Sequence, residues 1–142
     1  MMLLSILFGC SEPVRESNIN PTRTEWDKSN RCEQKMYEHC YALRSSSDVL
    51  RKLNALREAC DGNYLDSCQI LFEAELSEGT LGMALAAART GCRHGERELC
   101  REVLGFGQRF PEYARHADSY HDEYQAVLDA LEAGRPLPPP AR

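Results

Sequence analysis

Six of the seven cysteines fall into three pairs with one internal spacing: Cys32 and Cys40, Cys60 and Cys68, and Cys92 and Cys100 are each separated by eight positions. The pairs recur at intervals of 28 and 32 residues, a period in the range of helical repeats. Residues eight apart in one continuous helix lie about 12 Å apart, at 1.5 Å per residue. A disulfide needs Cα atoms within about 7 Å. If the cysteines pair locally, the chain must therefore turn inside each pair. Gly62 and Gly95 supply that turn in the second and third units, as residues that end a helix. The first unit has no glycine, so its local pairing has the weakest sequence support.

Helical patterns lie between the turns. Val49, Leu50, Leu53, Leu56 and Ala59 recur at steps of three and four, with Ser47 as the expected N-cap and Gly62 as the stop. Leu65, Cys68, Leu71, Phe72 and Leu76 form the next stripe, stopped at Gly79. Leu81, Leu85, Ala88 and Cys92 form an alanine-rich one, suited to close helix contact. Leu99, Cys100, Val103, Leu104 and Phe106 follow, with Gly105 and Gly107 expected to loosen the end. A last helix is expected from Pro111 to Glu132, with Tyr113, Ala117, Tyr120, Tyr124, Val127, Leu128 and Leu131 on one side. Trp26, ahead of the first unit, is expected to cap the open end. No window alternates with period two, so no sheet is expected. The fold class is all-α, a short α/α-hairpin repeat array in which each pair needs its neighbour to cover its apolar face.

The seventh cysteine, Cys10, ends an apolar stretch, and Leu7-Phe8-Gly9-Cys10 resembles a bacterial lipobox. The expected organisation is a cleaved signal over residues 1–9, a flexible tether over 10–24 and a helical-repeat domain over 25–134. A Pro-rich disordered tail over 135–142 completes it. Acyl chains on Cys10 would anchor the mature protein, each buried CH2 contributing roughly 0.8 kcal/mol. Ser11 after the cysteine, rather than Asp, leans toward the outer membrane. The absence of Lys or Arg ahead of the apolar run departs from the usual signal pattern.

Net charge is −5, with no clustered basic footprint, so no nucleic-acid partner is expected. Zinc candidates exist in Cys92, His94 and Cys100, or His39 and Cys40. Structural zinc sites favour cysteines two to four residues apart, whereas regular x7 spacing beside an export signal favours disulfides. No metal or other cofactor is expected. His116 and His121 are five apart and do not share a helix face. Glu73 and Glu75, like Glu96 and Glu98, are two apart and read as solvated faces. Tyr113, Tyr120 and Tyr124 read as helix-face packing.

Cys60 to Phe72 and Cys92 to Leu104 resemble the junction segment of the Sel-one-like repeats, relatives of tetratricopeptide repeats, and are most similar to their cysteine-rich secreted branch. The order Ala59-Cys60-Gly62-Cys68-Leu71, and again Gly91-Cys92-Gly95-Cys100-Leu104, carries the likeness, which covers about residues 30 to 110. The periods are shorter than the family's usual one of about 36 residues, and the loops are reduced to Ser77-Glu78-Gly79-Thr80 and Ser45-Ser46-Ser47. The resemblance implies helix pairs bridged by Cys32–Cys40, Cys60–Cys68 and Cys92–Cys100. It also implies a scaffold or adaptor role, without catalysis, toward an unidentified envelope protein in the periplasm or at the outer membrane. The expected contact residues are Tyr41, Arg44, Gln69, Glu73, Arg101 and Gln108. The branch is also associated with beta-lactam binding and hydrolysis, but no Lys here has a Ser three residues before it: Glu25, Cys32 and Val49 precede Lys28, Lys35 and Lys52. The other alternative is a cytosolic, reduced repeat protein, should Met1 to Cys10 not be a signal.

Overall fold

The structure is a computed structural model that describes residues 23–140. The expected signal, Cys10 and most of the expected tether lie outside the described residues. Eight α-helices and two short 3-10 turns, with no strand, make up the described chain. The helices are α1 (Arg23–Glu33), α2 (Tyr37–Ala42), α3 (Val49–Asp61), α4 (Ser67–Glu78), α5 (Leu81–Arg93), α6 (Arg97–Arg109), α7 (Ala114–Asp118) and α8 (His121–Ala133). The 3-10 turns are Leu43–Ser45 and Pro111–Tyr113. The chain divides into two compact units within α3, after Ala59.

All three cysteine pairs are local disulfides, with Cα atoms 4.7, 4.5 and 4.5 Å apart. The turn that allows this is the same each time. The third residue after the first cysteine takes a left-handed backbone: Lys35 at φ 64°, Asn63 at 55° and Gly95 at 101°. In the first unit Lys35 N–H donates to Cys32 O and Met36 N–H to Arg31 O. In the third, Gly95 N–H donates to Cys92 O and Glu96 N–H to Gly91 O. These are the paired bonds of the Schellman motif, which satisfies the last carbonyls of a helix. Gly62 is not the turning residue: Asn63 is, because the left-handed position is fixed by its distance from the cysteine and asparagine tolerates it. The first unit turns without glycine in the same way, through Lys35.

In the N-terminal unit, Cys32, Cys40 and Leu43 are buried, as are Leu53, Leu56 and Ala59 of α3. Trp26 is 59% exposed rather than packed over the helices. It stands six residues before the buried Cys32, about 120° around the helix from that face. Val49 and Leu50, expected in the α3 stripe, are also exposed. The N-cap of α3 is Asp48 rather than Ser47: the Arg51 amide donates to its carboxylate at 3.2 Å. A carboxylate there satisfies a free amide and also meets the positive end of the helix.

In the C-terminal unit, α4 packs on α5, α5 on α6, and α8 against both α6 and α5. Leu71, Phe72, Leu85, Leu99, Val103, Phe106, Tyr124 and Val127 are buried. Leu65, expected on the α4 stripe, lies outside the helix and is 65% exposed. The second junction uses a further left-handed residue there, and α4 starts only at Ser67. Glu75 is not on a solvated face. It is fully buried, and Thr80 Oγ1 donates to its carboxylate at 2.6 Å. Residues two apart on a helix point to opposite sides, so Glu73 is exposed while Glu75 turns inward.

Helix α6 does not loosen at Gly105 or Gly107 but continues to Arg109. Gly107 is needed for close packing, since a Cβ there would sit 2.9 Å from the Ala114 Cα. The single helix expected from Pro111 to Glu132 is broken instead. Ser119 Oγ donates to His116 O at 2.6 Å, and the Ser119 and Tyr120 amides form turn bonds to His116 and Ala117 carbonyls. A serine that bonds its own backbone competes with the helical ladder.

Candidate functional site

The second and third junctions stack. The Cβ position of Gly91 lies 3.0 Å from Cys68 Cβ, and His94 Nε2 lies 3.0 Å from the Cys60 carbonyl oxygen. That ring nitrogen must carry a proton, because the carbonyl can only accept. The stacking opens a cleft of about 490 Å³ lined by Asp66, Gln69, Gly95, Glu96, Arg97, Glu98 and Leu131.

Three helix ends meet there. Asp66 precedes the first residue of α4, Glu96 precedes that of α6, and Leu131 lies in the last turn of α8. Two carboxylates thus stand where helix amides leave positive charge. Arg97 Nη2 donates to the Leu131 carbonyl at 3.0 Å, tying α6 to the end of α8. Arg101 bonds Glu98 and, at 3.1 Å, Glu132, which holds the outer rim. The Gln69 amide is turned along its own helix, donating to Glu73 at 2.7 Å.

Burial lifts the Glu96 carboxyl above its ordinary value of 4.5; the His94 ring pulls it down and the Asp66 carboxylate pushes it further up. A carboxyl whose folded value is raised contributes stability below its ordinary value, and that contribution is lost as pH rises through the raised one. Urea unfolding at several pH values therefore has an expected outcome. Relative to Glu96→Gln, the parent chain loses stability as pH rises upward from 4.5. A parent that gains stability over the same window would contradict this environment for Glu96.

Among the six expected contact residues, Gln69 lines the cleft, and Glu73 and Arg101 touch its rim through Gln69 and Glu98. Tyr41 and Arg44 lie in the N-terminal unit, where the Arg44 guanidinium stacks on the Tyr41 ring at 4.1 Å. Gln108 is exposed near the end of α6 and does not line the cleft. The other six lining residues, Asp66, Gly95, Glu96, Arg97, Glu98 and Leu131, are not among the expected contact residues. One signal was available: the position two before the second cysteine is acidic in every unit, as Glu38, Asp66 and Glu98.

Tyr113 and Tyr124 behave as packing groups. Tyr113 meets Phe106 edge-on at 6.1 Å, and Tyr124 is buried, edge-on to Tyr120 at 6.1 Å. Cys40, Cys92 and Cys100, the sulfurs of the zinc candidates, are tied up in disulfides. Among the described residues no group of three His, Cys, Asp or Glu could hold a metal ion. No described helix is long and apolar enough to cross a membrane. What the cleft can do chemically is hold a cationic or amide-bearing side chain against carboxylates, beside the apolar Leu131. No protein-family model, no curated protein and no solved structure matches the chain.

Proposed function

We propose that this protein is a non-catalytic adaptor of the cell envelope, lipid-anchored through Cys10, that docks a protein partner. Its helix pairs would form a short solenoid of the Sel-one-like, tetratricopeptide-related kind. The observation that supports this best is the recurring junction: the same left-handed position, amide hydrogen bond back to the first cysteine and staple at Cys32, Cys60 and Cys92. A backbone unit repeated in this way is how repeat proteins build extended binding surfaces. The cleft between the second and third junctions is the docking site under this reading. Its carboxylates, Asp66, Glu96 and Glu98, suit a partner segment that presents Lys or Arg.

The test is a photo-crosslinking residue placed at Gln69 in the full chain, in the cells that make it. A discrete adduct is expected, lost when Asp66→Lys and Glu98→Lys are introduced together. The same probe at Ser119, exposed on the break between α7 and α8, should give no such adduct. An adduct that survives the double charge reversal would remove the cleft from the proposal.

A further inference from the structure

The Pro-rich segment after α8 contains Pro136, Pro138, Pro139 and Pro140 and has no regular secondary structure over 135–140. It is nevertheless met by the domain. Arg93 Nη1, at the end of α5, donates to the Pro138 carbonyl oxygen at 2.6 Å, and Pro138 is half-buried. The same guanidinium is locked from its other side, where Nη2 bonds Glu123 Oε2 at 2.9 Å. Both partners of that pair are largely enclosed, with side chains 19% and 14% exposed. An aromatic and cationic wall continues from there. Arg93 lies 5.9 Å from the Tyr124 ring, Arg89 Nε donates to Tyr124 Oη at 3.3 Å, and Arg89 stacks on Tyr120 at 3.8 Å.

The lengths show how the tail reaches Arg93. From Glu123 to the end of α8 at Ala133, the helix rises about 15 Å. Four residue steps of polyproline-II backbone, from Gly134 to Pro138, cover about 12 Å. The helix ends in a left-handed turn at Gly134, with the Arg135 amide donating to Ala130 O at 2.8 Å, which reverses the chain. The tail then has to run back along α8, nearly fully extended, to bring Pro138 to Arg93. Proline supplies that extended form with little loss of conformational entropy, and its carbonyls have no internal partner, so they remain available to an arginine.

We propose that the corner formed by Arg93, Glu123 and Tyr124 is a binding site for proline-rich segments in the polyproline-II form, with the chain's own tail as its resident occupant. Recognition rests on a carbonyl-reading guanidinium held in place by Glu123 and backed by the Tyr124 ring. Tethering gives the tail an effective concentration on the order of millimolar, so it competes with any proline-rich segment from outside.

Two measurements on the full chain test this. The first is the backbone order parameter of Leu137 by nitrogen-15 relaxation. A docked tail gives a value near the roughly 0.85 of rigid backbone, and a value below about 0.6 in the parent overturns the proposal without any variant. The second uses a fluorescent peptide with the sequence of residues 134–142, read by anisotropy. The Pro136→Gly, Pro138→Gly, Pro139→Gly triple variant weakens the resident tail and should bind the peptide about tenfold tighter than the parent, the gain that losing a roughly millimolar internal competitor gives when the segment binds with a Kd of about 0.1 mM. Adding Arg93→Gln to that variant should abolish the gain. Equal binding by parent and triple variant, or binding indifferent to Arg93→Gln, would refute the site.

Discussion

The Cys92→Ala, Cys100→Ala double variant should melt about 10–20 °C below the parent, and full reduction of the chain should leave it largely unfolded at physiological temperature. Each disulfide closes a loop of about nine residues, which in the chain-entropy model stabilises the fold by roughly 2.5 kcal/mol. A shift of 1 kcal/mol moves the midpoint of a domain this size by about 4–8 °C. Three such staples together approach the whole of the 5–15 kcal/mol by which native domains are stable. The cysteines are also among the most buried residues, Cys40, Cys92 and Cys100 being fully enclosed, so their loss also leaves small voids. Alanine is the replacement of choice because serine would bury a hydroxyl. Thermal unfolding by circular dichroism, with and without reductant, measures both effects. A midpoint indifferent to reductant would mean that the junctions hold by capping and packing alone.

Gly91→Ala should destabilise the chain by about 3 kcal/mol, the upper part of the range for overpacking a core. A Cβ at residue 91 would lie 2.1 Å from Leu99 Cδ1, 3.0 Å from Cys68 Cβ and 3.3 Å from Glu96 Oε2. Leu99 is itself fully buried and has no free direction in which to move, and Cys68 is held by its disulfide. The glycine is what allows the second and third junctions to touch. Gly105→Ala is the control of opposite sign. Nothing lies within 4 Å of its Cβ position, and it stands inside α6, where alanine is preferred over glycine by about 0.5–1 kcal/mol. Urea unfolding of the two variants should therefore move the midpoint in opposite directions. A Gly91→Ala chain as stable as the parent would remove the junction-to-junction contact from the account.

Much of the architecture was legible because it rests on period. Cysteines eight apart demand a turn, and apolar residues at steps of three and four demand helices; α4, α5 and α6 follow both. What escaped was set by position rather than by residue type. The left-handed residue stands three after the first cysteine whether it is Lys35, Asn63 or Gly95, and only glycine announces itself. Glu75 was misplaced because a carboxylate reads as solvated unless its partner, Thr80, is known. The break at Ser119 was invisible because the apolar spacing of Ala117, Tyr120 and Tyr124 continues across it. In the candidate site, Gln69 lines the cleft from α4. Asp66 and Glu96 belong to the cleft because two junctions stack, and Leu131 because α8 packs on α6; no single segment reveals either fact.

One stapled turn recurs at Cys32, Cys60 and Cys92, and the proposed function places it in an exported chain. Non-reducing peptide mapping by mass spectrometry, on protein from the cells that make it, addresses that claim most directly, with the mass at Cys10 read in the same experiment. The account predicts Cys32–Cys40, Cys60–Cys68 and Cys92–Cys100 as the only linkages, with Cys10 acylated at the mature N-terminus. Free thiols at these six positions and an intact segment ahead of an unmodified Cys10 would contradict it.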